Sequence, residues 1–182
     1  MMSIIKRILG IKKASNAGPD EQIDFEVADL KKGYILDYDF KSWEVKDVVI
    51  YTWDNGVKDY EYNIFDGREM KFLNYETVGN AISIFWEGHI NDVWPDARGK
   101  IRNNQDITNS EFEYKGQKFY FSGEGTARVK SSTETFGMQN WLFENDSDDT
   151  LISFNKYEDN SMEVYVGKKL KTHEISNILP RK

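Results

Sequence analysis

A chain of 182 residues can bury one ordinary core or two small, closely packed halves. Its net charge of −7, with no basic stripe among its aromatics, leaves nothing to hold nucleic-acid phosphate, so no nucleic acid is expected as a partner. The absence of cysteine excludes disulfides, thiolate metal sites and cysteine nucleophiles, and is compatible with a cytoplasmic location.

The first 13 residues, MMSIIKRILGIKK, run against the overall charge. At about 100° per residue, Ile4, Ile5, Ile8, Leu9 and Ile11 gather on one side while Lys6, Arg7, Lys12 and Lys13 fall elsewhere. This predicts a short basic amphipathic helix over residues 1–13, too short to span a bilayer. Ile4, Lys6, Arg7, Ile8, Lys12 and Lys13 would make it a weak peripheral membrane anchor, each cation near an anionic surface contributing about 1 kcal/mol. The other reading is a helix packed on the body or on another subunit. Residues 14–22, with Gly18-Pro19, read as a linker.

Residues 23–88 read as a first β unit. Aromatics make up 14% of the chain, and their bulk suits pleated sheets better than helices. Ile23, Phe25 and Val27 alternate in the strand period, and the run Trp43–Trp53 is long and rich in β-branched residues. Asn55-Gly56 supplies the left-handed conformations of a tight hairpin; Asp66-Gly67 and Val78-Gly79-Asn80 mark two further turns. Residues 89–109 break the pattern with Pro95, Gly99 and clustered Asn and Asp, and form a connection anchored by Val93-Trp94. Residues 110–182 form a second β unit. It ends in an expected C-terminal helix capped by Thr172, with Ile175, Ile178 and Leu179 on one face and Pro180 as its stop.

The two units resemble each other. Gly33–Val45 has a counterpart in Gly116–Val129, and Tyr60–Glu76 in Trp141–Glu158, each a strand, an acidic turn, a strand and an aromatic-Glu pair. The expected fold is therefore all-β and mainly antiparallel. Two tandem pseudo-repeated β units would form a sandwich or partly open barrel, with residues 23–182 as one compact domain.

Few residues carry chemistry. Glu76 and Glu158 occupy matched places and would act as an acid/base pair only if the fold brought them together; otherwise each pairs locally at a strand end. Trp53 and Trp86, next to turns, and Trp94 in the connection are candidates for a binding surface, although a large aromatic in a small β domain is more often core. The acidic turn Asn145–Asp149 lacks the glycine and distal glutamate of an EF-hand, and turn chemistry accounts for its residue types. His89 and His173 are isolated from each other, so no metal site and no cofactor are expected.

The pattern Gly33-x-Ile35-Leu36-Asp37-Tyr38-Asp39-x-x-x-Trp43-x-Val45, the strand with Tyr60-Glu61-Tyr62, then Phe72-Leu73, and the late Glu163-Val164-Tyr165-x-Gly167 leading to Ile178-Leu179-Pro180 resembles a bacterial family. That family is domain of unknown function 4178, and the likeness covers about Leu30 to Pro180. It implies a small β-rich protein, sometimes found among membrane-stress or channel-related neighbours, and carries over no catalytic residue. The expected function is a non-enzymatic binding or assembly module. It would act on a protein partner or at the cytoplasmic face of a membrane. The alternatives are a hydrolase using Glu76 and Glu158, or a structural subunit assembling through a sheet edge near Lys130–Asn140.

Overall fold

The computed structural model describes residues 25–147 and 149–181; the expected helix at 1–13 and linker at 14–22 lie outside them. A 3-10 turn at Val27–Asp29 precedes β1 (Ile35–Tyr38), β2 (Lys41–Trp53), β3 (Lys58–Phe65), β4 (Met70–Tyr75) and β5 (Ile82–Gly88). Two short helices follow, α1 (Ile90–Val93) and α2 (Ala97–Arg102). The chain then forms β6 (Glu111–Tyr114), β7 (Gln117–Lys130), β8 (Thr135–Asn145), β9 (Thr150–Tyr157) and β10 (Met162–Leu170), and ends with β11 (Ile175–Leu179).

All pairings are antiparallel, in the order β11-β1-β2-β3-β4-β5-β10-β9-β8-β7-β6. A further pairing, Ile50–Trp53 with Ala127–Lys130, joins β2 to β7 and closes eight of the strands into a ring. Of the two expected architectures the partly open barrel is the one formed. Closure is short because β1 occupies the start of β2, at Lys41–Glu44, and β6 the start of β7, at Gln117–Tyr120. Both long strands carry an irregularity, between Val45 and Asp47 and between Phe121 and Gly123, where an extra residue bends the strand toward closure. The correspondence read from the sequence between Gly33–Val45 and Gly116–Val129 does not hold at its first residue. Gly116 lies in the turn between β6 and β7, but Gly33 precedes β1, whose own turn to β2 is Asp39-Phe40.

Apolar side chains lie mainly on the outside of the ring. Tyr62, Ile64, Leu73, Ile82 and Ile84 take alternate positions along β3, β4 and β5, and are buried under Val27, Leu30, the β1–β2 hairpin and β11. Around the second half Phe143, Ile152, Phe154, Val164 and Val166 are covered by α1, α2 and β6 through Trp94, Ile101 and Phe112. Each such side chain taken wholly out of water contributes about 1.5–3 kcal/mol, and these two outer layers hold the ring in shape. The strand period turns the alternate residues inward: polar ones such as Glu61, Asn140 and Ser153, and at the β2–β7 seam a buried apolar cluster of Val49, Ala127, Val129 and Met138.

Three expectations are corrected. Thr172–Glu174 makes a single 3-10 turn, and Ile175–Leu179 is not a helix but a strand on β1. Ile175 and Ile178, three residues apart, can share a helix face, yet Asn177 adopts φ 50 and the pairing with β1 slips by one residue, so both reach the core from a strand. Phe25 and Val27 are not in a strand either, because the Asp29 carboxylate accepts the Glu26 N–H at 2.9 Å and turns the chain. Finally, Lys130–Asn140 is not an edge strand: β8 lies between β7 and β9, with Met138–Asn140 paired on both sides and only Thr135–Gly137 paired with β7 alone, and the outermost strands among the described residues are β6 and β11.

Candidate functional site

The ring surrounds a half-open cavity of about 880 Å³. Its wall is built by alternation. Tyr51 and Trp53 come from β2, Asp59 and Glu61 from β3, Asn74 from β4, Ser83 and Phe85 from β5, and Tyr165 from β10. Ser153 and Asn155 of β9 face Asn140 of β8, and Gly123 and Gly125 of β7 lower the wall opposite. The lining includes Asp54, Asp59, Glu61, Glu76 and Glu124, and among the described residues it includes no lysine, arginine or histidine.

Glu61 is the deepest charge. Tyr51 donates its phenol to Glu61 Oε2 at 2.9 Å, while Oε1 accepts no hydrogen bond from the described residues. Burial pushes the carboxyl up to about 7; the Tyr51 hydrogen bond opposes this and the nearby Glu163 charge adds to it. Its side chain stays half-buried because it borders the cavity rather than packed protein. The Tyr51 phenol is raised in turn, first by burial and then by the Glu61 charge. Near neutral pH, Glu61 therefore exchanges a proton easily, which few interior groups do.

The rest of the wall is organised by hydrogen bonds. Trp53 donates Nε1 to Asp59 Oδ2 at 2.7 Å, and the Thr77 backbone N–H donates to Asp59 Oδ1 at 2.9 Å, so Asp59 ties the indole to the β4–β5 turn. Asn140 donates to both Ser153 Oγ at 2.7 Å and Asn155 Oδ1 at 2.8 Å. Tyr157 and Tyr165 both donate to Glu163 Oε2. Asn74 Oδ1 is buried with no hydrogen-bond partner. Glu76, beside the mouth, is raised by burial first and by the Asp59 charge second, with Lys169 pulling the other way.

Of the residues singled out from sequence, Trp53 and Glu76 line this cavity. Glu158 does not: it lines a second, smaller hollow and pairs with Arg128 at 2.9 Å. Tyr75 is level with Ile82 at one end of β5, whereas Tyr157 lies beyond the level of Gly88 at the other. Glu76 and Glu158 thus line different hollows, and Glu158 is tied to Arg128, so the structure does not bring the two carboxylates together as an acid/base pair. Trp94 is buried, 7% exposed, and stacks on Phe112 with centroids 4.7 Å apart, so it anchors the core as expected and offers no contact surface. Trp86 is half-buried on the outer face, with Lys71 Nζ 6.0 Å from its ring. The turn after β8 is satisfied internally, Asn145 donating to Ser147 Oγ and Asp149 Oδ1. His89 and His173 are exposed. The membrane-contact candidates Ile4, Lys6, Arg7, Ile8, Lys12 and Lys13 lie outside the described residues; among those described, no helix is long and apolar enough to cross a membrane.

Tyr51, Asp59, Glu61, Asn74, Asn140, Ser153, Asn155 and Tyr165 were not singled out from sequence as site residues, Glu61 and Tyr165 having figured only in the family pattern. The signal was present in KDYEYNIF, where Asp59, Glu61 and Asn63 alternate with Tyr60, Tyr62 and Ile64. A strand carrying polar groups on one face normally turns that face to solvent; here ring closure turns it inward.

The model of the family described as Domain of unknown function (DUF4178) matches residues 31–172, and the chain belongs to that family. An uncharacterized protein of Aquifex aeolicus (strain VF5) is 29% identical over 152 residues, which is 84% of this chain and 84% of the relative. No solved structure matches the chain.

Proposed function

We propose that the protein is a small-molecule-binding module whose ligand sits inside the ring. The observation that carries this is the cavity itself: about 880 Å³, open on one side and bounded by strands that covering layers hold in place from outside. Eight-stranded barrels are wide enough to hold one small ligand, and sites for small molecules commonly occupy 300–1,000 Å³ with a few convergent polar groups. The wall sets the polar groups of Glu61, Asn74, Ser83, Ser153 and Asn155 among Tyr51, Trp53, Phe85 and Tyr165, which supply apolar contact.

Gly123 provides the test. It lines the cavity, and a Cβ there would meet nothing within 4 Å. Gly123→Phe is expected to fill the space and leave the fold intact, as judged by circular dichroism and thermal unfolding. A panel of anionic, neutral, zwitterionic and cationic metabolites, screened by saturation-transfer NMR, is expected to contain members that bind the wild-type chain and not Gly123→Phe. A panel that binds neither form, or both equally, overturns the reading.

A further inference from the structure

Given that cavity-binding reading, we infer that the ligand is an organic cation bearing N–H donors, a protonated alkylamine, seated against Glu61 with Tyr51 and Trp53 as its aromatic wall. Charge argues first. Asp59, Glu61 and Glu76 line the cavity without a basic residue among the described residues beside them. The cation acting on Glu76 is Lys169, whose ammonium lies 3.0 Å from Glu144 Oε2. An anion in this space would meet uncompensated carboxylates, and a neutral guest would leave Glu61 buried without a counter-charge.

Hydrogen bonding argues second. Asp59 already accepts from Trp53 and Thr77, but Glu61 Oε1 accepts nothing from the described residues, and Asn74 Oδ1 is buried without a donor. Unmet acceptors on neighbouring strands, at residues that pair in register (Glu61 with Asn74), call for a guest that donates. The aromatic groups argue third. The rings of Tyr51 and Trp53 lie at 18° with centroids 6.0 Å apart in the cavity wall. Aromatic faces attract ammonium groups, more strongly where water is excluded.

Binding is then coupled to a proton. A seated ammonium favours the charged form of Glu61, so affinity rises with pH through about 7. Tyr51 on β2 and Glu163 on β10 act on Glu61, Tyr157 on β9 and Tyr165 on β10 act on Tyr51 in turn, and Asp59 on β3 lines the same cavity two residues along. The three phenols are all raised, chiefly by burial, and stay protonated in this range.

Three six-carbon probes separate charge from size: 1,6-diaminohexane, 1,6-hexanediol and adipate. They are titrated calorimetrically into the full chain at physiological salt, which screens adsorption to the acidic surface. The diamine is expected to bind at least tenfold more tightly than the diol, with no adipate binding. Glu61→Gln, which keeps shape and loses charge, is expected to weaken the diamine about tenfold and to flatten its pH dependence between 6 and 8. Diol or adipate binding equal to the diamine's, lost in Gly123→Phe, would overturn the cation and leave the cavity reading standing. Diamine binding that survives Gly123→Phe would place it on the outer surface and overturn both. Failure of all three probes overturns the cation inference, while the wider metabolite panel decides the cavity reading separately.

Discussion

Gly125 and Trp53 are fitted to one another: a Cβ built on Gly125 would lie 3.0 Å from both Cε3 and Cζ3 of the indole. The ring has little freedom to move away, because Asp59 holds Nε1 at 2.7 Å and Tyr51 lies nearly parallel beside it. Gly125 sits opposite Asn140 on β8 and next to the seam where β7 meets β2. The absence of a side chain at this point lets the ring close over a tryptophan.

Gly125→Val is therefore expected to destabilise the fold by about 1–3 kcal/mol, the usual range for overpacking. It should also shift the fluorescence of Trp53 as the indole leaves Asp59. Urea denaturation followed by tryptophan emission and by circular dichroism measures both effects. An unchanged midpoint and spectrum would show that the indole is not clamped as described.

A harder constraint lies at Gly167. Its Cβ would fall against Phe85 and 2.7 Å from the Ile84 carbonyl oxygen. A phenyl ring can turn, but a backbone carbonyl in the β5–β10 ladder cannot, so even Gly167→Ala is expected to be destabilising by about 2–4 kcal/mol. Gly123→Ala, where nothing stands within 4 Å, is the matched control and should change stability little. The contrast between two glycine-to-alanine changes is read by thermal unfolding.

How much of this was legible in the sequence differs between the two faces of each strand. The strands themselves declared their turns: Asn55-Gly56, Asp66-Gly67 and Val78-Gly79-Asn80 all lie between strands, with Gly56, Gly67 and Gly79 at positive φ. Ring closure was not legible, because it depends on β2 meeting β7 some 80 residues later through four residue pairs. Without closure, Glu61 and Asn155 look like solvent-facing residues on half-buried strands. The same non-local pairing defeated the helix expected at the C-terminus. Ile175, Ile178 and Leu179 carry helical spacing, and only the proximity of the free edge of β1 makes them a strand. Trp94 shows the reverse case: a lone tryptophan in a loop was correctly legible as an anchor, since burying so large a ring outweighs most other fates.

The strand at the C-terminus is expected to be structural. Ile175 and Ile178 are buried against the same cluster as Leu36, Tyr38 and Trp43. Ile178→Ala should cost about 2–4 kcal/mol, and exchange of β1 amide hydrogens should accelerate more than that of β9, which lies on the far side of the ring. Equal acceleration in both strands would mean that the outer layer and the ring unfold as a single unit.

Glu61 gives the chain a stability that depends on pH in an unusual direction. Its folded carboxyl is raised to about 7 from the ordinary value of 4.5, so between these values the native state binds more protons than the unfolded chain. Where the native state holds the extra proton, stability falls as pH rises. The contribution is fully present below pH 4.5, declines through neutrality and is gone above the folded value. For a shift of this size the loss is at most about 3 kcal/mol, and partial access of cavity water reduces it. Glu61→Gln cannot ionise, so it should match the wild type near pH 5 and exceed it at pH 8, with the gap opening through about pH 7. Urea midpoints for both chains across that range measure the difference, in which the other titrating groups cancel. Parallel curves would show that the carboxyl at the centre of the cavity is already solvated well enough to ionise at its ordinary value.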